Sequence, residues 1–325
     1  MIDFLSNYGL FLAKFITIFI LVIFGLIIIV SSLKKAPKSE GLTVESLNKR
    51  YKDLEDSLRL IVDGSEKYKK KSKERKKTDK LFLKKGSKRA RTFVLDFKGD
   101  IRASATASLR EEVSAILSIA NKKDEVLVRL ENPGGTVHEH GLAASQLMRI
   151  RDKDIGLIIS VDKVAASGGY LMACVADNII AAPFAIIGSI GVIAQIPNFN
   201  RFLEEKGVDF EQVTAGKHKR TLTMFGKNTE EGRKKIKQEL EDVHDLFKNQ
   251  ISEYRPKIDL NEVATGEHWY GITALNLNLI DEIKTSDDFL IEKSKKRDIY
   301  LVSYKRKASL RDRLFGEAEA LLSKI

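Results

Sequence analysis

Residues 161–192 read VDKVAASGGYLMACVADNIIAAPFAIIGSIGV. The stretch continues an unbroken β-branched run, Gly156 to Val161 (GLIISV), which has the character of a strand buried on both faces. It then turns through the small residues Ala165-Ala166-Ser167-Gly168-Gly169 into an apolar segment of helical character, Tyr170 to Val175. A strand, a tight turn and a helix start with serine at the corner expose a hydroxyl at the edge of an α/β sheet. The glycines behind that serine let a substrate backbone come close. An ordinary serine N-cap followed by a glycine pair has the same local pattern, so the rest of the chain must decide the chemistry.

Working outward, strands and helices alternate. TFVLDF (Thr92 to Phe97) precedes a helix over Ser108 to Ala120, and EVLVRLE (Glu125 to Glu131) leads through the turn Asn132-Pro133-Gly134-Gly135 to a helix over Val137 to Ile150 and then to GLIISV. Repeated strand–helix units predict an α/β domain with a mostly parallel sheet covered by helices. Downstream, the pattern predicts a short helix (Asn200 to Lys206), a strand (Asp209 to Thr214) and a long charged helix (Thr229 to Tyr254). A helix-turn unit from Ala264, a strand over Ile299 to Tyr304 and a helical tail complete it. The apolar run Tyr170 to Pro197 is interrupted by Asp177, Asn178, Pro183 and a glycine-serine cluster, so it reads as buried core and not as a membrane span.

The chain has 325 residues, 43% of them hydrophobic, enough for a substantial core. Its formal charge of +11 is concentrated in one place, since 14 of the 25 residues from Lys67 to Arg91 are Lys or Arg. That run reads as a solvated linker, with contact to anionic lipid headgroups as the second reading and no specific nucleic-acid partner. The single cysteine, Cys174, forms no internal disulfide and reads as a small buried hydrophobe.

From Phe15 to Leu33 there are 19 residues without a charge, close to the length that crosses a bilayer. The run is too long for a signal-peptide core and no small-x-small cleavage site follows, so it reads as an uncleaved anchor. Lys34, Lys35, Lys38, Lys49 and Arg50 follow it, which by the positive-inside rule favours a cytoplasmic body, a bias that large domains override. Val44, Leu47, Tyr51, Leu54, Leu58 and Ile61 then recur at spacings of three and four, the seam of an amphipathic helix or short coiled coil. The expected divisions are an anchor (1–33), the amphipathic helix and basic linker (34–91), the main domain (92–290) and a C-terminal strand and helical tail (291–325).

In a parallel sheet, sites form at the carboxyl ends of strands, and both glycine-rich turns fall there. Gly134 and Gly135 can present free backbone N–H groups of the kind that stabilise an oxyanion. A serine needs a base. None of the five histidines stands in a recognisable triad pattern, and His138-Glu139-His140 lacks the spacing of a zinc pair, so neither a metal nor a cofactor is expected. A desolvated lysine can take the proton instead. Lys217 and Lys219, at the end of the predicted strand, are the best placed, and periodicity leaves them tied.

The set NPGG (Asn132 to Gly135), ASGGY (Ala166 to Tyr170), GSIGV (Gly188 to Val192) and AGKHK (Ala215 to Lys219) resembles the signal peptide peptidase A and SohB family of membrane-anchored serine proteases, nearest its SohB branch. The resemblance spans roughly residues 92–290 in the right order. It implies a Clp protease/crotonase-like fold, a bacterial plasma-membrane location, a peptide or unfolded protein substrate (signal peptide remnants among them) and a homo-oligomer. It also implies a Ser-Lys dyad: Ser167 as nucleophile, Lys219 as general base, Ser189 orienting the lysine, and Gly134 with the N–H of Gly168 lining the oxyanion hole. Family members often carry an acidic residue after the lysine, where this chain has Arg220. A neighbouring cation favours a lysine's neutral form, so the departure is compatible with the dyad. Rival readings are a crotonase-like enzyme acting on an acyl thioester and a non-catalytic membrane scaffold.

Overall fold

The computed structural model describes residues 2–34, 40–64, 66–67, 89–216 and 218–306. Two units divide the chain, one holding the N-terminal helix and the other residues 43–303. In the first, α1 (Ile2–Lys34) is one continuous helix. Its span Asn7–Gly25 has a mean hydropathy of 2.2 and no part buried by protein, and is long and apolar enough to cross a membrane. A helix satisfies its own backbone groups, which a segment in hydrocarbon must do. The span begins earlier than the expected Phe15, because only Lys14 interrupts the apolar residues on either side of it.

Further along, β1 (Gly41–Ser46) leads into α2 (Leu47–Val62). The side chain of Ser46 accepts from the Lys49 N–H and caps the helix there, so Val44 lies on the strand and the expected seam is shorter than the spacing suggests. Its first turn is buried on the domain: Leu47 is in the core and the Asn48 carboxamide bonds Ser294 O, Arg297 O and Ile299 N. Leu54, Leu58 and Ile61 stay exposed.

The domain proper begins with β2 (Arg91–Lys98), α3 (Thr106–Ile119), β3 (Glu125–Glu131), α4 (Val137–Arg151) and β4 (Gly156–Val161). Then come β5 (Val164–Ala166), α5 (Gly168–Ala173), β6 (Asn178–Ala181), β7 (Ile186–Gly188), α6 (Asn200–Glu205) and α7 (Glu230–Tyr254). It closes with α8 (Leu260–Val263), β8 (His268–Tyr270), α9 (Gly271–Asn276), β9 (Glu282–Ile283), α10 (Ser286–Ser294) and β10 (Asp298–Lys305). The boundary expected at residue 290 falls inside α10, and the strand beyond it pairs in parallel with β2.

The main sheet runs β1-β10-β2-β3-β4-β6-β9 and is parallel from β10 to β9. Side chains alternate across it. Phe93, Leu95, Phe97, Val126, Val128, Leu157, Ile159 and Val161 pack on the face that also buries α3, α4 and α5. Val94, Leu127, Ile158, Ile180 and Ile299 form the opposite core with Leu47, Phe289 and Leu290. Burial on both faces explains why these strands read as unbroken apolar runs. Truncating one such side chain, Leu127 for instance, costs about 2–5 kcal/mol.

A second sheet of three short strands, β5-β7-β8, is joined to the end of β3 by a parallel bridge between Asn132 and Ala165. The expected strand Asp209 to Thr214 is not formed: 208–214 is irregular and its residues are exposed, Val213 to 97%. A strand needs a neighbour for its N–H and C=O groups, and this segment has none within the described chain. The Lys-rich run, apart from its ends, and the helical tail lie outside the described residues.

Candidate active site

Two parallel strands build the centre of the site. Ala166 on β5 pairs with Gly188 on β7, so Ser167 and Ser189 leave the small sheet side by side. Both serines have φ of 52°, a region that residues other than glycine seldom occupy. The Ser167 backbone is held in that conformation from both sides. Its N–H donates to Gly188 O at 2.7 Å, and its carbonyl accepts from Leu171 N at 3.0 Å in the first turn of α5. A strained residue fixed by its surroundings is characteristic of functional corners. Neither serine hydroxyl has a hydrogen-bond partner among the described residues.

The turn after β3 faces this corner. Asn132 Oδ1 accepts from Gly134 N at 2.9 Å, an Asx turn, and Asn132 O accepts from Ala166 N at 3.0 Å. Gly134 has φ of 93°, and a β-carbon there would lie 2.8 Å from the Ser167 Cβ and 2.9 Å from the Gly168 N. Only glycine fits. The Gly134 N–H, expected to line the oxyanion hole, donates to Asn132 Oδ1. Gly135 and Gly168 have backbone N–H groups without a partner among the described residues, and both line a cavity of about 160 Å³ with Ser167.

Beneath the turn lies His140, fully buried on α4. Its Nδ1 is 2.9 Å from Thr136 O and its Nε2 is 3.2 Å from Asn132 Oδ1, while a side chain on Gly168 would run into the imidazole ring. His140 thus braces both glycine turns. Behind the serine, Tyr170 and Cys174 sit in the core. Burial raises the Tyr170 hydroxyl well above its usual pKa, and that hydroxyl donates to Leu279 O at 2.9 Å. Burial likewise pushes the Cys174 thiol up to about 12, so it is inert and not a rival nucleophile.

The long helix α7 crosses in front of the serine. Phe247 and Ile251 anchor it in the core, and past its end Arg255 forms a two-pronged ion pair with Asp281 at 2.7 and 2.8 Å. Val243, Leu246, Phe247 and Gln250 close the 160 Å³ cavity. One turn back, Lys237, Leu240, Glu241 and His244 border a second cavity that also contains Ser167 and Ser189.

Lys219 is elsewhere. It is exposed, in a turn where its N–H donates to Gly216 O at 3.1 Å, and it borders a different cavity with Phe210, Val213, Met224 and Phe225. The described chain therefore brings Ser167, Ser189, Gly134 and Gly168 together and leaves Lys219 apart. Lys217 lies outside the described residues. The bracing by Asn132 and His140 and the position of His244 were not foreseen, because no local spacing links them to the serine.

A strained serine on an α/β scaffold, beside N–H groups that have no partner among the described residues, has the arrangement of a serine hydrolase. Residues 3–147 match Peptidase family S49 N-terminal and residues 149–300 match Peptidase family S49. A Haemophilus influenzae protein described as "Probable protease SohB" is 48% identical, over 98% of this chain and 94% of its own. A Buchnera aphidicola protein of the same description is 49% identical, over 90% of this chain and 100% of its own. Among solved structures, a mutant membrane-bound stomatin-specific protease in complex with a substrate peptide aligns with a TM-score of 0.43 at 14% identity, over 71% of this chain and 99% of that one. The chain belongs to peptidase family S49, and its fold is an α/β fold with a mostly parallel main sheet.

Proposed function

We propose that the protein is a membrane-bound serine endopeptidase of the bacterial plasma membrane, cleaving extended peptides or unfolded segments with Ser167 as nucleophile and Lys219 as general base. The observation that carries this reading is the Ser167 corner, strained at φ 52°, with its hydroxyl unengaged among the described residues and the N–H groups of Gly135 and Gly168 beside it. Ser167 Oγ attacks the scissile carbonyl and its proton passes to Lys219 Nζ. The developing oxyanion is received by the Gly168 and Gly135 N–H groups. The lysine then protonates the departing amine, and water hydrolyses the acyl-enzyme by the reverse sequence.

A lysine in water is protonated at neutral pH and cannot serve as base, so Lys219 must be covered in the working enzyme. Its surroundings favour a second copy of the chain as the cover. Phe210, Val213, Met224 and Phe225 are exposed around it, and 208–214 is irregular, with no strand partner among the described residues. Apolar surface and unpaired backbone on one segment are the features that association buries. Ser189, beside Ser167, is positioned to hold the lysine once it arrives. The 160 Å³ cavity, walled by Leu171, Val192, Leu246 and Phe247, suits one apolar substrate side chain.

The test is turnover of an unstructured protein by the full chain in detergent. Ser167→Ala is expected to lower it by at least about a thousandfold with an unchanged unfolding transition. Retention of parental turnover overturns the assignment.

A further inference from the structure

The N–H groups of Gly135 and Gly168, without a partner among the described residues, each sit in a glycine pair, and glycine has little conformational preference of its own. Their aim is therefore set by what surrounds them. The backbone of Asn132 is fixed from β5, since its N–H donates to Val164 O at 2.8 Å and its carbonyl accepts from Ala166 N at 3.0 Å. Its carboxamide Oδ1 then accepts from the Gly134 N–H at 2.9 Å, so the turn follows the rotamer of one buried side chain. That rotamer is held by Met172 Sδ, 3.3 Å from Nδ2, and by His140 Nε2, 3.2 Å from Oδ1. A thioether is a weak acceptor, which leaves the imidazole as the strong partner. Because Oδ1 accepts from Gly134, Nε2 must donate to it. Thr136 O, 2.9 Å from Nδ1, is also reached by the His140 backbone N–H at 3.2 Å, so the Nε2 contact is the one that the ring alone supplies. The same ring floors the second donor, as a β-carbon on Gly168 would lie 2.5 Å from the imidazole Cγ.

We propose that His140 is a positioning residue for the oxyanion hole. Through Asn132 Oδ1 and the floor beneath Gly168 it fixes the Gly135 and Gly168 N–H groups toward the oxygen of the scissile carbonyl. The inference rests on the reading of Ser167 as nucleophile, and it gives a catalytic consequence to a buried histidine that the Ser-Lys chemistry does not use. Donors aimed in advance stabilise the developing charge without reorganising at the moment of reaction, and a displaced donor forfeits that stabilisation. The oxyanion is absent from the bound substrate, so the loss falls on kcat and leaves KM nearly unchanged. A residue that only packs the core has no reason to divide its effect in this way.

The experiment uses the full chain in detergent, with competent sites counted by the end point of fluorophosphonate labelling at Ser167. His140→Phe keeps a ring beneath Gly168 and removes both nitrogens. It is expected to lower kcat per labelled site about ten- to hundredfold, with KM within about twofold of the parent. His140→Gln carries an amide N–H to about the place of Nε2 and is expected to restore kcat to within about threefold, whereas His140→Asn reaches only to that of Nδ1 and should stay as low as His140→Phe. A peptide aldehyde probes the hole itself: Ser167 Oγ bonds its carbonyl carbon, the seryl proton goes to the general base, and the carbonyl oxygen takes the electron pair. Its affinity should fall in His140→Phe by about the factor lost from kcat, while that of the matching peptide alcohol, which cannot add to serine, should hold. An unchanged kcat in His140→Phe overturns the proposal, as does a loss that falls on KM or equally on aldehyde and alcohol. It is also overturned if glutamine does not rescue, if asparagine rescues as well as glutamine, or if none of the three variants folds, which would make the histidine a packing residue alone. A parent enzyme that is not labelled at Ser167 overturns the nucleophile assignment instead, and this inference with it.

Discussion

Ser167 and Ser189 leave adjacent parallel strands at the same level, one residue beyond the Ala166–Gly188 pair, and both have φ of 52°. Two strained serines at the ends of two paired strands form one surface, and neither hydroxyl has a partner among the described residues. Removing the second hydroxyl leaves the first in place but takes away the group proposed to hold the base. Ser189→Ala is expected to lower kcat about ten- to hundredfold with little change in KM, the usual cost of a displaced catalytic group. Steady-state kinetics on a peptide substrate checks it, and an unchanged kcat removes Ser189 from the mechanism.

Gly134 has no room for a side chain. At φ of 93°, with Ala166 O, the Ser167 Cβ and the Gly168 N all within 2.9 Å of an added β-carbon, Gly134→Ala must displace the nucleophile corner. It is expected to abolish activity and destabilise the fold by several kcal/mol, as overpacking and a disallowed φ combine. Gly156→Ala, where the nearest atom is at an ordinary 3.7 Å, should be close to neutral. Thermal unfolding and turnover of the two variants side by side measure the difference.

The two lysines of AGKHK are separated by substitution. Lys219→Ala is expected to reduce turnover by about 10²–10⁴, the usual contribution of a general base. Lys219→Arg should be nearly as poor, because a guanidinium stays protonated. Lys217→Ala should lose little. An inactive Lys217→Ala beside an active Lys219→Ala would exchange the two roles while preserving the mechanism.

Burial pushes the Cys174 thiol up to about 12, above its value in an unfolded chain. A group whose folded pKa is raised stabilises the fold fully below its unfolded pKa, near 8.5, and that contribution is lost as pH rises toward 12. Stability is therefore expected to fall across that alkaline range, and to fall less in Cys174→Ala. The thiol should resist iodoacetamide at pH 8 until the protein is unfolded. Rapid alkylation of the native protein would contradict the burial.

Much of this was legible in the sequence. The unbroken runs at Thr92, Glu125 and Gly156 announced strands buried on both faces, and ASGGY announced a serine corner, because both signals are local. The strand expected over Asp209 to Thr214 was misread because its apolar residues are those of a segment without a strand partner, which sequence alone does not distinguish from a paired one. The engaged N–H of Gly134 depends on the side-chain rotamer of Asn132. His244 reaches the site only because α7 folds back over residues some eighty positions earlier, a relation that no spacing encodes.

The central claim is that Ser167 is the nucleophile, and mapping a covalent adduct tests it most directly. The full chain in detergent is treated with a fluorophosphonate, digested and sequenced by mass spectrometry. The account predicts a single adduct on Ser167, absent from Ser167→Ala. An adduct on Ser189 or any other residue in place of Ser167, or undiminished labelling of Ser167→Ala, would contradict it.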